Sequence, residues 1–199
     1  MTDAPPQIAQ TAEVHPSATI GPGTTVHPGA VIGPGCTVGA DCIIGRGAEL
    51  EAGSTVGDGT RVWGHAWLGP GASVGARCTV SRNVYIGRGV TVGDDCKLED
   101  HAQLSPGIVL GDRVFVGPYV VFCNDNDPQA VRPADDPFIE QETRVEDDAV
   151  ICACAVITAG KTIGAGSKIW PNATVTYDVP PEHGARTAVA SMHPRKKRG

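Results

Sequence analysis

The chain has 199 residues, room for one large domain or two small ones, and 41% of them are hydrophobic, so a sizeable core can form. Only 5% are aromatic, which excludes a core filled by large rings, and the net charge of −6 argues against a nucleic-acid surface in the body of the chain. The one dense basic cluster, Arg195, Lys196, Lys197 and Arg198, closes the sequence. Residues 1–10 lack a basic stretch followed by an apolar run, and no apolar run reaches 18 residues, so neither a signal peptide nor a membrane span is expected and a cytoplasmic protein is.

From Ile8 onward, every sixth residue is apolar. The series Ile8, Val14, Ile20, Val26, Ile32, Val38 continues without exception to Phe122, and 19 of its 20 members are Ile, Val or Leu. Four residues after each comes a small or medium side chain, as in Ala18, Thr24, Ala30, Cys36, Cys42 and Ala48, with glycine and proline between, as in Ile20-Gly21-Pro22-Gly23. Such fixed-period self-similarity marks a repeat architecture. It also explains the cysteines. Of seven, Cys36, Cys42, Cys78 and Cys96 occupy the small position, which predicts reduced, buried packing thiols, and no CxxC pair points to a zinc ribbon.

This pattern resembles the hexapeptide-repeat signature of left-handed β-helix proteins, from Ile8 to Val175. The resemblance implies an all-β fold, a left-handed parallel β-helix. Each hexad is then a short strand and a corner, and three hexads make one coil of a triangular prism. β-Branched residues suit the strands and glycine the corners. Coils stack ~4.8 Å apart, and residues 18 apart share a column. His65, Asn83, His101 and Tyr119 form such a column, and its place three residues after the aliphatic one predicts exposure.

The register breaks after Phe122 and resumes at Val145; 23 residues separate them where six are expected, so 17 leave the helix between Cys123 and Arg144. This segment is polar and contains proline, and a loop inserted into a rigid repeat is more often functional than not. The expected organisation is a β-helix over 8–177 with an inserted loop, 123–144, and a C-terminal tail, 178–199. Pro180 and Pro181 cannot donate to a ladder and should end the stack.

Within the fold, Val62-Trp63-Gly64-His65-Ala66, Asn83-Val84-Tyr85-Ile86-Gly87, Val114-Phe115-Val116-Gly117-Pro118 and Phe122-Cys123-Asn124-Asp125 with Pro128 resemble the bacterial nucleotide-sugar N-acetyltransferases, nearest the branch acting on UDP-2-acetamido-3-amino glucuronate. The sequence departs from that family in lacking its Gly-Asn-Pro-Ala-Arg segment and the tryptophan of its loop. The resemblance implies acetyl-CoA as co-substrate, a nucleotide-linked amino sugar as acceptor, and a homotrimer with sites between subunits. It places the reacting amine near Leu98-Glu99-Asp100-His101-Ala102, where Asp100 would orient the amine and His101 could act as general base or be one more exposed corner residue. Glu99, Asn83 and Tyr85 are candidate acceptor contacts. Asn124 and Asp125 are either acceptor contacts or an Asx turn opening the loop. For the coenzyme, Ala153, Ala155, Ala159 and Gly160 offer small side chains beside a pantetheine arm, and Lys161, Lys168 or the basic tail could meet the phosphates.

Three other readings stand beside this one: an O-acetyltransferase using a small hydroxyl acceptor, a non-catalytic scaffold, and a metalloenzyme like the γ-class carbonic anhydrases. The last needs convergent histidines. No two histidines are five apart, and His65 and His101, two coils apart at ~9.6 Å, are too distant to share an ion, so no metal site is expected.

Overall fold

A computed structural model describes residues 4–134 and 136–186; the basic cluster and most of the expected tail lie outside them. The described chain contains 27 strands, almost all two residues long, and no helix. Every strand pairing is parallel, and the sheets hold ten, nine and eight strands. Pairings such as Arg61 with Thr79 and Val62 with Val80 join residues 18 apart, one coil to the next. The result is the expected left-handed parallel β-helix. We call the sheet from Gln7–Ile8 to Gly184–Ala185 the first face, that from Glu13–Val14 to Thr174–Val175 the second, and that from Thr19–Ile20 to Thr162–Ile163 the third. The first corner joins faces one and two, the second corner faces two and three, and the third corner returns to face one.

In each two-residue strand the second side chain points inward. Ile44, Val62, Leu68, Val80, Ile86, Leu98 and Leu104 are fully buried. The small residue two positions before the aliphatic one also points inward, so Ala30, Ala48, Ala66, Cys78 and Ala102 fill the corners from inside. Full burial of a Val, Leu or Ile is worth ~1.5–3 kcal/mol, and the single continuous core is built from these two columns on each edge. Interior polar groups are satisfied: Thr24 Oγ1 donates to the Gly39 carbonyl at 2.7 Å and accepts from the Cys42 amide at 3.0 Å. Burial pushes the Cys42 thiol up, and the contact between Cys78 and Cys96 raises Cys96 while lowering Cys78.

The corner glycines serve two purposes. One residue after the aliphatic position the coils touch; a Cβ at Gly21 would lie 2.5 Å from the Gly39 carbonyl carbon. Three residues after it the backbone is left-handed, with φ of 62° at Gly47 and 70° at Gly59. His65, Asn83, His101 and Tyr119 occupy this same left-handed position, with φ between 56° and 62°. Asn and His are enriched in that region among non-glycine residues, so backbone geometry alone accounts for part of the column read from the sequence.

The inserted segment leaves the second corner after Val121–Phe122, and Thr143–Val145 re-enters the third face against Ile108–Leu110. Residues 143 and 144, assigned to the loop from sequence, are therefore strand. The stack also outlasts its expected end at residue 177. Val179 bridges to Ile163, and Gly184–Ala185 pairs with Lys168–Ile169. The two prolines do not stop it, because Pro180 and Pro181 fall at a corner, where the turn needs no ladder donor.

Candidate active site

The first corner carries the most varied side chains of the prism. Its three outward columns run one, two and three residues after the aliphatic position. The first column contains His27, Trp63, Ser81 and Glu99, and the second Arg46, Gly64, Arg82 and Asp100. The third contains Gly47, His65, Asn83, His101 and Tyr119. Two adjoining depressions run along it. One of about 360 Å³ is lined by His27, Arg46, Trp63, His65 and Arg82, with Gly45 and Gly64 between them. The other, about 290 Å³, is lined by Trp63, Ser81, Arg82 and Asp100. Trp63 and Arg82 belong to both.

Asp100 closes the upper depression. Its Oδ1 accepts the Arg82 backbone amide at 2.9 Å, which fixes the carboxylate on the corner. His101 follows in the left-handed conformation, and its ring stacks on Tyr119 with centroids 4.8 Å apart and planes 7° from parallel. The stack restrains the imidazole, leaving an acid and a potential base side by side on one edge. Glu99, by contrast, is engaged by Lys97 at 2.7 Å. Asn83 stands one coil below His101 on the same corner, while Tyr85 lies on the second face, stacked on Trp67 at 4.9 Å.

The loop residues are elsewhere. Asn124 and Asp125 open the insertion at the second corner, across the second face from Asp100. The Asp125 carboxylate is occupied within the loop: Oδ1 accepts the Asp127 amide at 2.8 Å, as in an Asx turn, and Oδ2 pairs with Arg132 at 2.8 Å. These two partners hold its carboxyl below the usual carboxylate range. Of the alternatives left open for Asp125, the turn is the one built here. Asn126 ties the loop to the prism, accepting from the Ala159 amide at 2.9 Å and donating to its carbonyl at 3.1 Å.

That anchor corrects part of the expected coenzyme surface. Ala155 is fully buried in the core, and Ala159 is fully buried at the corner beneath the inserted loop, so neither side chain lines an open groove. The Ala159 backbone is taken by Asn126. The Gly160 amide donates to Thr143 Oγ1 at 2.9 Å, and a Cβ at Gly160 would meet Gln141. Lys161 lies on the second corner with them, Ala153 lies on the first corner, and Lys168 lies on the first face over the Trp170 ring at 4.6 Å. One chain therefore does not gather these six residues into a single groove. Among the described residues, no group of three or more His, Cys, Asp or Glu side chains is arranged to hold a metal ion.

The residues that sequence reasoning passed over are Arg46, Ser81 and Arg82. The signal was available: applying the 18-residue step to the column two after the aliphatic position gives Arg46, Gly64, Arg82 and Asp100 in succession.

Sequence profiles place a bacterial transferase hexapeptide (six repeats) at residues 17–52 and a hexapeptide repeat of succinyl-transferase at residues 71–99. Comparison with curated proteins gives no significant match. Among solved structures, a UDP-N-acetylglucosamine acyltransferase from Campylobacter jejuni is similar with a TM-score of 0.77 at 18% identity, over 88% of this chain and 69% of that one. A UDP-N-acetylglucosamine acyltransferase from Bacteroides fragilis is similar with a TM-score of 0.72 at 21% identity, over 87% and 68%. In repeat and in fold, the chain is a hexapeptide-repeat left-handed β-helix protein.

Proposed function

We propose that the protein transfers an acyl group from an acyl-coenzyme A thioester to the amino group of a nucleotide-linked amino sugar. The observation that carries this reading is the Asp100–His101 pair, held on one corner at the end of a depression lined by Trp63, Ser81 and Arg82. The hexapeptide profiles and the two acyltransferases that share the fold support the reaction class.

The chemistry asks little of the protein beyond placement. The amine nitrogen attacks the thioester carbonyl carbon, the C–S bond breaks, and the coenzyme leaves as a thiol after gaining the proton the amine loses. Holding both substrates in line supplies much of the rate. Asp100 orients the amine, and His101, restrained by Tyr119, carries the proton. Of the expected coenzyme residues, Ala159, Gly160 and Lys161 lie with the loop on the far edge of the second face from Asp100. The reading therefore uses more than one copy of the chain, with the second corner of one copy facing the first corner of the next, as in a cyclic trimer.

A hydroxyl acceptor is the second reading, favoured by the fixed His101 ring, since a hydroxyl needs a base more than an amine does. The test is release of free thiol from acetyl-coenzyme A with UDP- and dTDP-linked amino sugars, and with the corresponding hydroxyl sugars, in the wild type and His101→Ala. Thiol release that requires the amino sugar supports the first reading. Release with hydroxyl sugars alone replaces it with the second, and no release with any acceptor sinks both.

A further inference from the structure

The lower depression on the first corner shares Trp63 and Arg82 with the proposed reaction site and adds His27, Arg46 and His65, to which the chemistry gives no role. We infer that it is a nucleoside-diphosphate site, in which Arg46 and Arg82 hold the phosphates and Trp63 packs against the nucleoside. This deepens the acyl-transfer reading by giving its nucleotide a place, and it rests on that reading only for which nucleotide is bound.

Arginine pairing is the first support. Arg77, Arg88, Arg113, Arg132 and Arg144 each form an ion pair with a carboxylate. Arg46 and Arg82, like Arg61 on the exposed first face, have no carboxylate partner among the described residues, although the chain carries 22 acidic residues and a net charge of −6. Both line the same 360 Å³ depression, together with two imidazoles, His27 and His65. A concentration of unpaired cations in an acidic protein focuses an anion onto that spot, and guanidinium groups suit phosphate oxygens.

Backbone donors are the second support. One coil above, the Arg82 amide is capped by Asp100. The equivalent amides of Arg46 and Gly64 face Gly64 and Arg82 in the coil above them, neither of which has a side-chain acceptor. Two N–H groups are thus left for a ligand beside the two guanidiniums. The His65 ring lies against Gly47, where a Cβ would come within 2.7 Å of its Cε1 and Nδ1, and walls one side of the depression.

Spacing gives the ligand class. Arg46 and Arg82 stand two coils apart, ~9.6 Å along the corner, with Trp63 in the coil between and 38% exposed. A single phosphate would leave the Trp63 indole between them unused. A diphosphate joined to a nucleoside reaches both arginines and offers a ring and a sugar to the indole. The volume lies within the usual range for small-molecule sites.

Both a nucleotide sugar and coenzyme A contain a nucleoside diphosphate, so calorimetric titrations at low salt compare UDP, coenzyme A and inorganic pyrophosphate, with no acyl transfer involved. Binding is expected for at least one of the two nucleotides, tighter than for pyrophosphate, and the preferred nucleotide names the source. Arg46→Gln and Arg82→Gln should each weaken nucleotide binding at least about tenfold, the worth of one charge-assisted hydrogen bond. Trp63→Ala should weaken nucleotide but not pyrophosphate. Arg61→Gln, which removes the same charge from the exposed first face outside the depression, should leave binding unchanged. Four results overturn the assignment: no binding at millimolar nucleotide; nucleotide no tighter than pyrophosphate; no effect of Arg46→Gln and Arg82→Gln; or an equal effect of Arg61→Gln. Nucleotide binding lost in Arg46→Gln, with no thiol release by the wild type, keeps the site and sinks acyl transfer. Thiol release with nucleotide binding indifferent to both arginines does the reverse.

Discussion

The first and third corners share one backbone and use it in opposite ways. On the third corner, Asp58, Asp94, Asp112 and Asp147 each cap a backbone amide of the preceding coil. Arg77 is clasped by Asp94 and Asp95, and Arg113 by Asp147 and Asp148. Almost every charge there is used to tie coil to coil. On the first corner the same positions hold Arg46 and Arg82, whose side chains meet no carboxylate, and Gly64, which has none to offer, and only Asp100 retains the capping role. Identical geometry thus gives a ladder of internal pairs on one edge and a row of free donors on the other. The lesson is that on a repetitive fold, function shows as a failure of self-satisfaction at one edge.

The sharpest way to break the comparison is at His101. His101→Ala should lower kcat on the true acceptor by about 10²-fold or more, measured by thiol release, whereas Arg77→Ala on the opposite edge should leave kcat unchanged. The next test pairs two glycines of equal backbone. Gly47→Ala and Gly59→Ala each force a side chain into left-handed φ and should cost about 1–2 kcal/mol of stability in urea unfolding. At Gly59 the nearest atom to the new Cβ is Arg77 Cγ at 3.8 Å, so nothing else should change. At Gly47 the His65 ring must move, and nucleotide affinity should fall as well. Equal binding by the two variants would remove His65 from the site.

A smaller effect separates capping from chemistry. Asp112→Ala and Asp100→Ala each uncap one amide and should each cost on the order of 1 kcal/mol. Asp100→Asn keeps an acceptor oxygen for Arg82 and should retain stability while losing activity; retention of both would assign Asp100 to the scaffold alone. The smallest effect is in pH. Arg77 and Arg113 hold the carboxyls of Asp95 and Asp148 below their ordinary value. A depressed folded pKa contributes stability that is complete above the unfolded value, about 4, and is lost as pH falls through the folded one. Asp95→Asn with Asp148→Asn should therefore lower the melting temperature slightly at pH 7 and flatten its decline below about pH 4. A parallel decline in wild type and variant would show the clasps to be energetically silent.

The fold was legible because its signal is one-dimensional. A six-residue period sustained from Ile8 to Phe122 admits few architectures, and the position of the insertion follows from counting. The site was less legible for a physical reason. Position in the hexad says whether a side chain points outward, but partnership with the next coil depends on what stands 18 residues away. Asp125 looks like a free carboxylate until Arg132 and Asp127 are seen to occupy it. Ala155 and Ala159 look like a small-residue groove until the first proves to be core and the second is covered by the loop. Pro180 looks terminal, yet its neighbour Val179 still bridges to the third face.

One consequence of the 18-residue register reaches beyond this chain's own ligands. Distances along the first corner come only in whole coils of ~4.8 Å, so the span from Arg46 to His101 is quantised, like the marks on a ruler. Duplicating or deleting one turn would lengthen or shorten that span by a single mark while every face kept its inward and outward residues. Specificity for longer or shorter molecules could then change in discrete steps by copying a turn, with no need to redesign a pocket.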